Sequence, residues 1–279
     1  MELNRPPPDR PPPDRPRTDR LPAELRPYLA ELVHRTRAVC GPDLVSVLVV
    51  GSVALGDYRH GRSDVDVTVV VAPSLPARAL RELPVALAHP ALPCPAAGLE
   101  LVVYDADFAA RPSGEAGYLL DLDTGEALPG KVSYDPRESP SFWYVIDRSV
   151  ARQSGHALYG PPAREVIAAP DAPALFAVLR ASVREHAGGE GHLADNRVLN
   201  GCRTVMFCRT GRWLPKRRAA EAVAGTEPEF RPLLEAALHS FERPRGDALL
   251  LPPEEVRRFL ERVAAHVEEA ASRADAPPR

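Results

Sequence analysis

The chain has 279 residues, of which 44% are hydrophobic and 26% charged, a balance typical of a soluble globular protein with one large or two ordinary domains. A formal charge of −3, with no long run of lysine and arginine, argues against a nucleic-acid partner. No apolar run is long enough to cross a bilayer and no apolar leader is present, so we expect no membrane partner and a cytoplasmic location.

The first residues are dominated by proline. Residues 5–16 read RPPPDRPPPDRP, in which a five-residue unit of arginine, proline and aspartate repeats. Such a segment has almost no apolar surface to bury. We therefore predict a disordered proline-rich tail over residues 1–20 and exclude it from the fold.

The following residues alternate between helical and strand patterns. Apolar residues at helical spacing predict helices over 21–40 and 77–87. Apolar runs predict strands at 45–50, 65–71 and 99–104, with weaker signals at 118–120 and 131–134. A helical pattern over 142–154 comes next, and the sequence ALYGPP after it predicts a strand and a turn.

The rest of the chain is helical in pattern. Five helices are predicted at 175–186, 194–210, 216–224, 228–241 and 253–273. The segment AAPDAP at 168–173 marks the boundary between the two patterns. We therefore expect an α/β domain over 21–170, followed by an all-α helical-bundle domain over 171–279.

Two carboxylates open the second predicted strand. Residues i and i+2 of a strand project from the same face, so Asp64 and Asp66 stand side by side while Val65 and Val67 face the other way. Adjacent carboxylates repel each other unless a cation lies between them. Because Mg²⁺ takes one or two carboxylates together with substrate phosphates, the pair predicts a Mg²⁺ site.

Residues on the neighbouring predicted strands extend this site. Gly51 and Ser52 follow the first strand, where the missing side chain lets a triphosphate approach the backbone and the hydroxyl donates to a phosphate oxygen. Glu100 is a lone carboxylate in the apolar run LELVV. If the three strands are neighbours, Glu100 lies beside Asp64 and Asp66, where it binds metal or accepts a proton.

This combination of Gly-Ser, a spacer, Ser-Asp-x-Asp and a later glutamate resembles the nucleotidyltransferase superfamily. Within it, the layout is most similar to the aminoglycoside adenylyltransferases that act on spectinomycin and streptomycin, over roughly residues 45–241. The resemblance implies an α/β (α+β) nucleotidyltransferase domain with a mixed sheet, and an enzyme that uses ATP and Mg²⁺. It also implies transfer of AMP to a hydroxyl of a small molecule, with release of pyrophosphate.

The resemblance further implies nucleotide-binding residues in the helical half. The stretch DNRVLNGCR is similar to a family helix with Asn early and Arg seven residues later, here Asn196 and Arg203. Lys216 matches the lysine of a following family segment, so Arg203 and Lys216 would neutralise the triphosphate. Phe241 stands where the family has an aromatic residue, usually tyrosine, near the nucleotide. Taken alone, Arg203 also fits a surface position and Phe241 a core position.

The acceptor site is less constrained. The family's streptomycin-binding tryptophan would fall near residues 118–122, where this chain has none. Asp195 is shifted from the acidic residue that the family uses, and with Asp121, Asp123 and Glu126 it is a candidate acidic lining for a polycationic sugar. A polar turn in LDLDTGE and an ordinary helix cap explain the same residues equally well.

The favoured interpretation is a monomeric enzyme in which Mg²⁺ on Asp64 and Asp66 bridges the phosphates of ATP and Glu100 accepts the proton of a substrate hydroxyl. Two alternatives stay open. One keeps the chemistry and changes the acceptor to another small molecule or a protein side chain. The other is a non-catalytic module that binds a nucleotide or a protein partner.

Overall fold

The computed structural model of the protein describes residues 21–189 and 193–274, so the tail predicted over 1–20 lies outside the described residues. Six strands form one sheet in the order β5-β4-β3-β2-β1-β6. The strands are β1 Leu44–Val49, β2 Val65–Val71, β3 Leu99–Asp105, β4 Tyr118–Thr124, β5 Lys131–Ser133 and β6 His156–Tyr159.

Strand directions in the sheet are mixed. β2 pairs in parallel with β3, whereas β1 pairs antiparallel with β2 and β6, and β4 pairs antiparallel with β3 and β5. The helices around the sheet are α1 Arg26–Cys40, α2 Gly51–Leu55, α3 Ala77–Leu87, α4 Ala106–Ala109, α5 Ser141–Ser154 and α6 Ala163–Val166. The predicted mixed sheet is therefore confirmed.

One face of the sheet is covered by α1 and α3. Alternate residues of the central strands, such as Val67 in β2 and Leu101 in β3, are buried in this apolar core. Because side chains alternate across a strand, Asp66 and Glu100 project from the opposite face. The valine-rich core thus fixes the position of the polar face.

Helices α7 to α11 form the second part of the molecule, as predicted. They are α7 Ala172–Gly188, α8 Ala194–Thr210, α9 Lys216–Thr226, α10 Arg231–Phe241 and α11 Pro253–Ala274. α8 packs against α9, α10 and α11, and α7 packs against α11. Their common core contains Val198, Leu234 and Phe259. None of the helices in the described ranges is long and apolar enough to cross a membrane.

Helix α5 connects the two parts. It precedes the predicted boundary at 168–173, yet its Phe142 and Val145 pack in the core of the helical part. On another side of α5, the rings of Tyr144 and Tyr118 lie 4.8 Å apart. Domain limits at residue 170 stay a prediction.

The short helix α2 is absent from the sequence prediction. It occupies only five residues directly after β1, which is too short for a helical hydrophobic pattern to develop. Its first two residues are Gly51 and Ser52, so the predicted phosphate-binding pair lies in a helical turn rather than in an open loop.

Candidate active site

A cavity of about 780 Å³ lies between the polar face of the sheet and the helical part. One side, the sheet wall, carries the carboxylates Asp64, Asp66, Glu100 and Asp123. The opposite side, the helical wall, carries the cations Arg203, Lys216 and Arg245. The cavity is lined by every residue predicted to bind metal or nucleotide, namely Gly51, Ser52, Asp64, Asp66, Glu100, Arg203, Lys216 and Phe241.

The topology of the sheet brings the carboxylates together. Asp66 in β2 is the register partner of Glu100 in β3, and Glu100 is the partner of Asp123 in β4. Asp64 lies two residues before Asp66. Since paired strands are about 4.8 Å apart, these side chains are close neighbours on one polar face.

Burial and mutual repulsion disfavour the ionised forms of this group. Burial raises the pKa of Asp66 to about 8, and the nearby charges of Asp64 and Asp147 contribute to the rise. Burial also raises the pKa of Glu100 well above its usual range, with Asp64 and Asp66 again contributing. A cation bound among these carboxylates would relieve the repulsion.

The surroundings of Asp66 fit a Mg²⁺ ion that is bound together with phosphate. Gly51 has a φ of +56°, and a Cβ atom there would lie only 1.8 Å from Asp66 Oδ2. The backbone N–H of Val50 donates to the carbonyl of Asp66 at 2.9 Å and fixes this close approach. Carboxylate oxygens are hard ligands, and Mg²⁺ completes its shell with phosphates and water.

The protein alone does not offer a complete metal site. Across residues 21–189 and 193–274, no three Asp, Glu, His or Cys side chains are placed to hold a metal ion among themselves. Asp64 Oδ2 instead accepts a hydrogen bond from Arg245 Nη2 at 2.7 Å. Metal ligation by Asp64, Asp66 and Glu100 therefore stays a prediction, and the geometry favours a site that phosphate oxygens complete.

The helical wall concentrates positive charge. Arg203 Nε donates to the carbonyl of Leu214 at 3.1 Å, and Lys216 Nζ donates to Asn196 Oδ1 at 3.0 Å. Burial lowers the pKa of Lys216 to about 8, with the positive charge of Arg203 contributing. Burial also lowers the pKa of Arg203. An anion between these two cations would be strongly favoured.

Several donors in the cavity have no partner of their own. The atoms Ser52 Oγ, Arg62 Nη1, Arg203 Nη2 and Arg245 Nε are buried without a hydrogen-bond partner in the described part of the chain, and all four residues line the cavity. A buried donor left unpaired costs about 1–3 kcal/mol. Four such donors in one cavity indicate a ligand with many acceptor oxygens, such as a triphosphate.

The cavity continues along β4 and α5, where acidic residues remain. Asp121 accepts hydrogen bonds from Lys131 Nζ and from the hydroxyl of Tyr144, so its charge is partly balanced. Burial raises the pKa values of Asp123 and Asp147 to about 6 each. Asp147 lies on α5 and lines the cavity. Its side chain is exposed to the water of the cavity, so the surrounding protein removes only part of its hydration.

Comparison with known proteins agrees with this arrangement. A family model of the nucleotidyltransferase domain matches residues 37–91, and a model of the C-terminal domain of aminoglycoside adenylyltransferase matches residues 165–266. The chain is an aminoglycoside adenylyltransferase-like nucleotidyltransferase. Comparison with curated proteins gives no significant match.

The fold of this nucleotidyltransferase also occurs in a solved structure. The crystal structure of spectinomycin adenyltransferase AAD(9) from Enterococcus faecialis with ATP and spectinomycin superposes with a TM-score of 0.65. The match covers 87% of this chain and 98% of that chain, at 18% sequence identity. At this level of identity, the likeness shows a shared fold.

One residue expected to contact the acceptor has other partners in this nucleotidyltransferase. Asp195 is fully buried, both of its carboxylate oxygens lie 2.8 Å from Arg62 Nη2, and it also accepts from the hydroxyl of Ser240. It does not line the cavity. Glu126 is exposed and also lies outside the lining. Of the candidate acidic lining, the cavity thus contains Asp121 and Asp123 and not Asp195 or Glu126.

Several charged residues that line the cavity were not among the predicted ones, and Arg62, Asp147 and Arg245 are the three that bear on its chemistry. Arg62 immediately precedes the Ser-Asp-x-Asp motif, and its position is set by Asp195, 133 residues away. Asp147 is a lone carboxylate in the apolar and aromatic stretch FWYVIDRSV. Such a setting could have marked it as a candidate site residue. Arg245 lies in the turn Arg245–Asp247 after α10. No pattern in the sequence around Arg245 distinguishes it from a surface arginine.

Proposed function

We propose that this enzyme transfers AMP from ATP, with Mg²⁺, to a hydroxyl of an aminoglycoside of the spectinomycin or streptomycin type and releases pyrophosphate. The observation that carries the proposal is the pairing of crowded carboxylates with unpaired donors across one cavity. A metal-bound triphosphate satisfies both at once. The neighbour solved with ATP and spectinomycin supports the same substrate pair.

In this proposal, the triphosphate lies between Gly51 and Ser52 on one side and Arg203 and Lys216 on the other. Ser52 Oγ and Arg203 Nη2 are unpaired donors, one on each side, that would donate to phosphate oxygens. Mg²⁺ on Asp64 and Asp66, when bound, would stabilise charge on the phosphates and on the leaving pyrophosphate. Phe241 is buried beside these cations. Arg62 Cζ lies 5.4 Å and Lys216 Nζ lies 5.0 Å from the centre of its ring.

Glu100 is proposed as the general base. It projects into the cavity beside Asp66, and its raised pKa makes the ionised carboxylate a stronger base than an ordinary glutamate. The base takes the proton of the acceptor hydroxyl as the hydroxyl oxygen bonds to the α-phosphorus. The bond from the α-phosphorus to the bridging oxygen breaks, and pyrophosphate leaves.

The acceptor is proposed to lie along β4 and α5. Asp123 and Asp147 offer carboxylates that a cationic amino sugar would stabilise, since its amines lower the cost of their ionisation. Trp143 also lines this region and offers an aromatic surface. Because all of these groups belong to one chain, we propose that a monomer is active.

The test is a pyrophosphate-release assay with ATP and Mg²⁺ against spectinomycin, streptomycin and other aminoglycosides. We expect release that requires one of these acceptors and yields the adenylylated product by mass spectrometry. Glu100→Gln is expected to reduce the rate by about 10²–10⁴-fold, the usual contribution of a general base. Glu126→Gln, which alters an exposed carboxylate after β4 that does not line the cavity, is the matched control and should retain the rate.

Two outcomes would contradict the proposal. Full activity in Glu100→Gln would remove Glu100 as the base. ATP binding without release for any aminoglycoside would move the acceptor to another small molecule or a protein side chain.

A further inference from the structure

Arg245 connects the turn after α10 to the start of β2. Its Nη2 donates to Asp64 Oδ2 at 2.7 Å, across 181 residues of sequence. Both side chains are partly buried, with exposures of 27% for Arg245 and 18% for Asp64. The contact thus joins the helical wall directly to a predicted metal ligand.

The Nε atom of the same guanidinium has no hydrogen-bond partner in the described part of the chain. Arg245 Nε is buried and makes no hydrogen bond within the described residues, and Arg245 lines the cavity. An ion pair formed only for stability would be expected to use the donors of the arginine fork together, as bidentate arginine–carboxylate pairs do. Here Nη2 donates to Asp64 while Nε is left unpaired. This arrangement indicates that the guanidinium has a further acceptor when the enzyme is at work.

A divalent cation and this guanidinium compete for the same oxygen. Both are positive, and their repulsion at one carboxylate oxygen is unfavourable in a partly buried site. When a metal-bound nucleotide occupies the cavity, Arg245 has to release Oδ2 or share it weakly. Phosphate oxygens of a nucleotide in the cavity would then be available as acceptors for both its Nη2 and its Nε, since Arg245 lines the same cavity.

We propose that Arg245 is a further phosphate-binding residue, which holds Asp64 in the free enzyme and exchanges it for the phosphates of the bound nucleotide. In the free enzyme, the guanidinium stands in for the metal and reduces the repulsion between Asp64 and Asp66. In the complex, it adds a third cation to Arg203 and Lys216. This inference rests on the proposed function, because it requires a nucleotide with several phosphates in this cavity.

The exchange predicts opposite effects on two affinities. Without Arg245, a metal ion alone meets less competition at Asp64, whereas the nucleotide loses a charge-assisted hydrogen bond. An arginine that only supports the fold would change both affinities in the same direction. The sign of the two changes therefore distinguishes a phosphate-binding role from a structural one.

The test uses the full chain and the variant Arg245→Gln. Binding of Mn²⁺ alone, measured by electron paramagnetic resonance, is expected to become about threefold to fivefold tighter, the scale of a partly exposed ion pair. Binding of α,β-methylene-ATP with Mg²⁺, measured by isothermal titration calorimetry, is expected to weaken about tenfold or more, the scale of a hydrogen bond to a charged group. Arg245→Lys keeps the charge and should restore most of the Mn²⁺ value while recovering the nucleotide affinity only in part.

Arg243→Gln is the matched control, since Arg243 is exposed two residues away and contacts His239 instead. It should leave both affinities unchanged. Equal weakening of both ligands in Arg245→Gln, or no change in either, would overturn the inference. If the wild-type chain binds neither the analogue nor pyrophosphate, the proposed function itself fails, and that result is separate from the behaviour of Arg245.

Discussion

The sheet wall and the helical wall of the cavity are opposite in charge, and each is unfavourable by itself. On the sheet wall, burial and neighbouring carboxylates raise the pKa values of Asp66 and Glu100. On the helical wall, burial and a neighbouring cation lower the pKa of Lys216. Each wall therefore holds like charges together at a cost in stability.

The two walls differ in the kind of ligand that their side chains favour. The rigid sheet places carboxylates at fixed register positions, where hard cations bind. The helices place longer and more adaptable cationic side chains opposite them, where phosphates bind. A ligand that carries metal and phosphate together, as in the proposed function, would neutralise both walls. Three substitutions test this comparison, beginning with the largest expected effect.

Asp195→Asn breaks the ion pair that holds the two walls together. Arg62 precedes the sheet-wall motif, and Asp195 lies in the first turn of α8, the helix that carries Arg203 of the helical wall. Their side chains are only 2% and 0% exposed. Leaving the guanidinium buried without its counter-ion is expected to destabilise the protein by about 3–5 kcal/mol. Chemical denaturation monitored by circular dichroism measures the change.

The control for this substitution is Glu268→Gln. It removes an exposed ion pair with Arg180, whose Nε lies 2.8 Å from Glu268 Oε1, and an exposed pair is worth about 1 kcal/mol or less. A similar small loss for Asp195→Asn would show that the Arg62–Asp195 pair does not connect the walls.

Gly51→Ala tests the close approach of backbone and carboxylate on the sheet wall. An added Cβ would lie 1.8 Å from Asp66 Oδ2, so Asp66 must rotate away from its present position. The positive φ adds a backbone cost of about 1–2 kcal/mol. We expect this stability loss together with a large decrease in Mg²⁺-dependent nucleotide binding, measured by calorimetry.

Gly56→Ala separates the two effects of the previous change. Gly56 has a φ of +74°, and a Cβ there would meet nothing within 4 Å. It should show a similar backbone cost with unchanged nucleotide binding. If both variants bind the nucleotide equally well, the space beside Asp66 is not needed for the ligand.

Asp147→Asn has the smallest expected effect, and it depends on pH. The pKa of Asp147 is raised from 3.8 to about 6, first by the partial loss of hydration inside the cavity. Arg203 and Arg148 oppose the rise, and Asp64 and Asp121 add to it. The folded protein therefore binds the proton more tightly than the unfolded chain, and ionisation of Asp147 reduces stability as the pH rises from about 4 to 6. Asparagine does not ionise.

We therefore expect the variant to be more stable than the wild type above pH 6 and equal to it below pH 4. Water reaches Asp147 in the cavity, so the gain should be about 1 kcal/mol, well below the value for a dry site. Melting temperatures across pH 3.5 to 8 give the profile. A gain that is the same at every pH would contradict an electrostatic origin.

The sequence by itself determined the polar face of the sheet. Because strand residues alternate, Asp64 and Asp66 were predicted to share a face, and Glu100 was expected on the same face of a neighbouring strand. The mixed sheet and the helical second part are confirmed. The individual strands and helices could be predicted because they depend on hydrophobic patterns that are local in sequence. The roles of these carboxylates stay predictions, although the fold places them in one cavity.

Only the tertiary structure decided which distant residues meet. The register of β3 against β2 pairs Asp66 with Glu100, and no local pattern specifies that pairing. Asp195 looked like a substrate contact next to Asn196, but a partner 133 residues earlier buries it. Arg245 reaches Asp64 across 181 residues. Such contacts depend on how the helices dock on the sheet, and this docking is set by packing over the whole core rather than by the residues near each charged group.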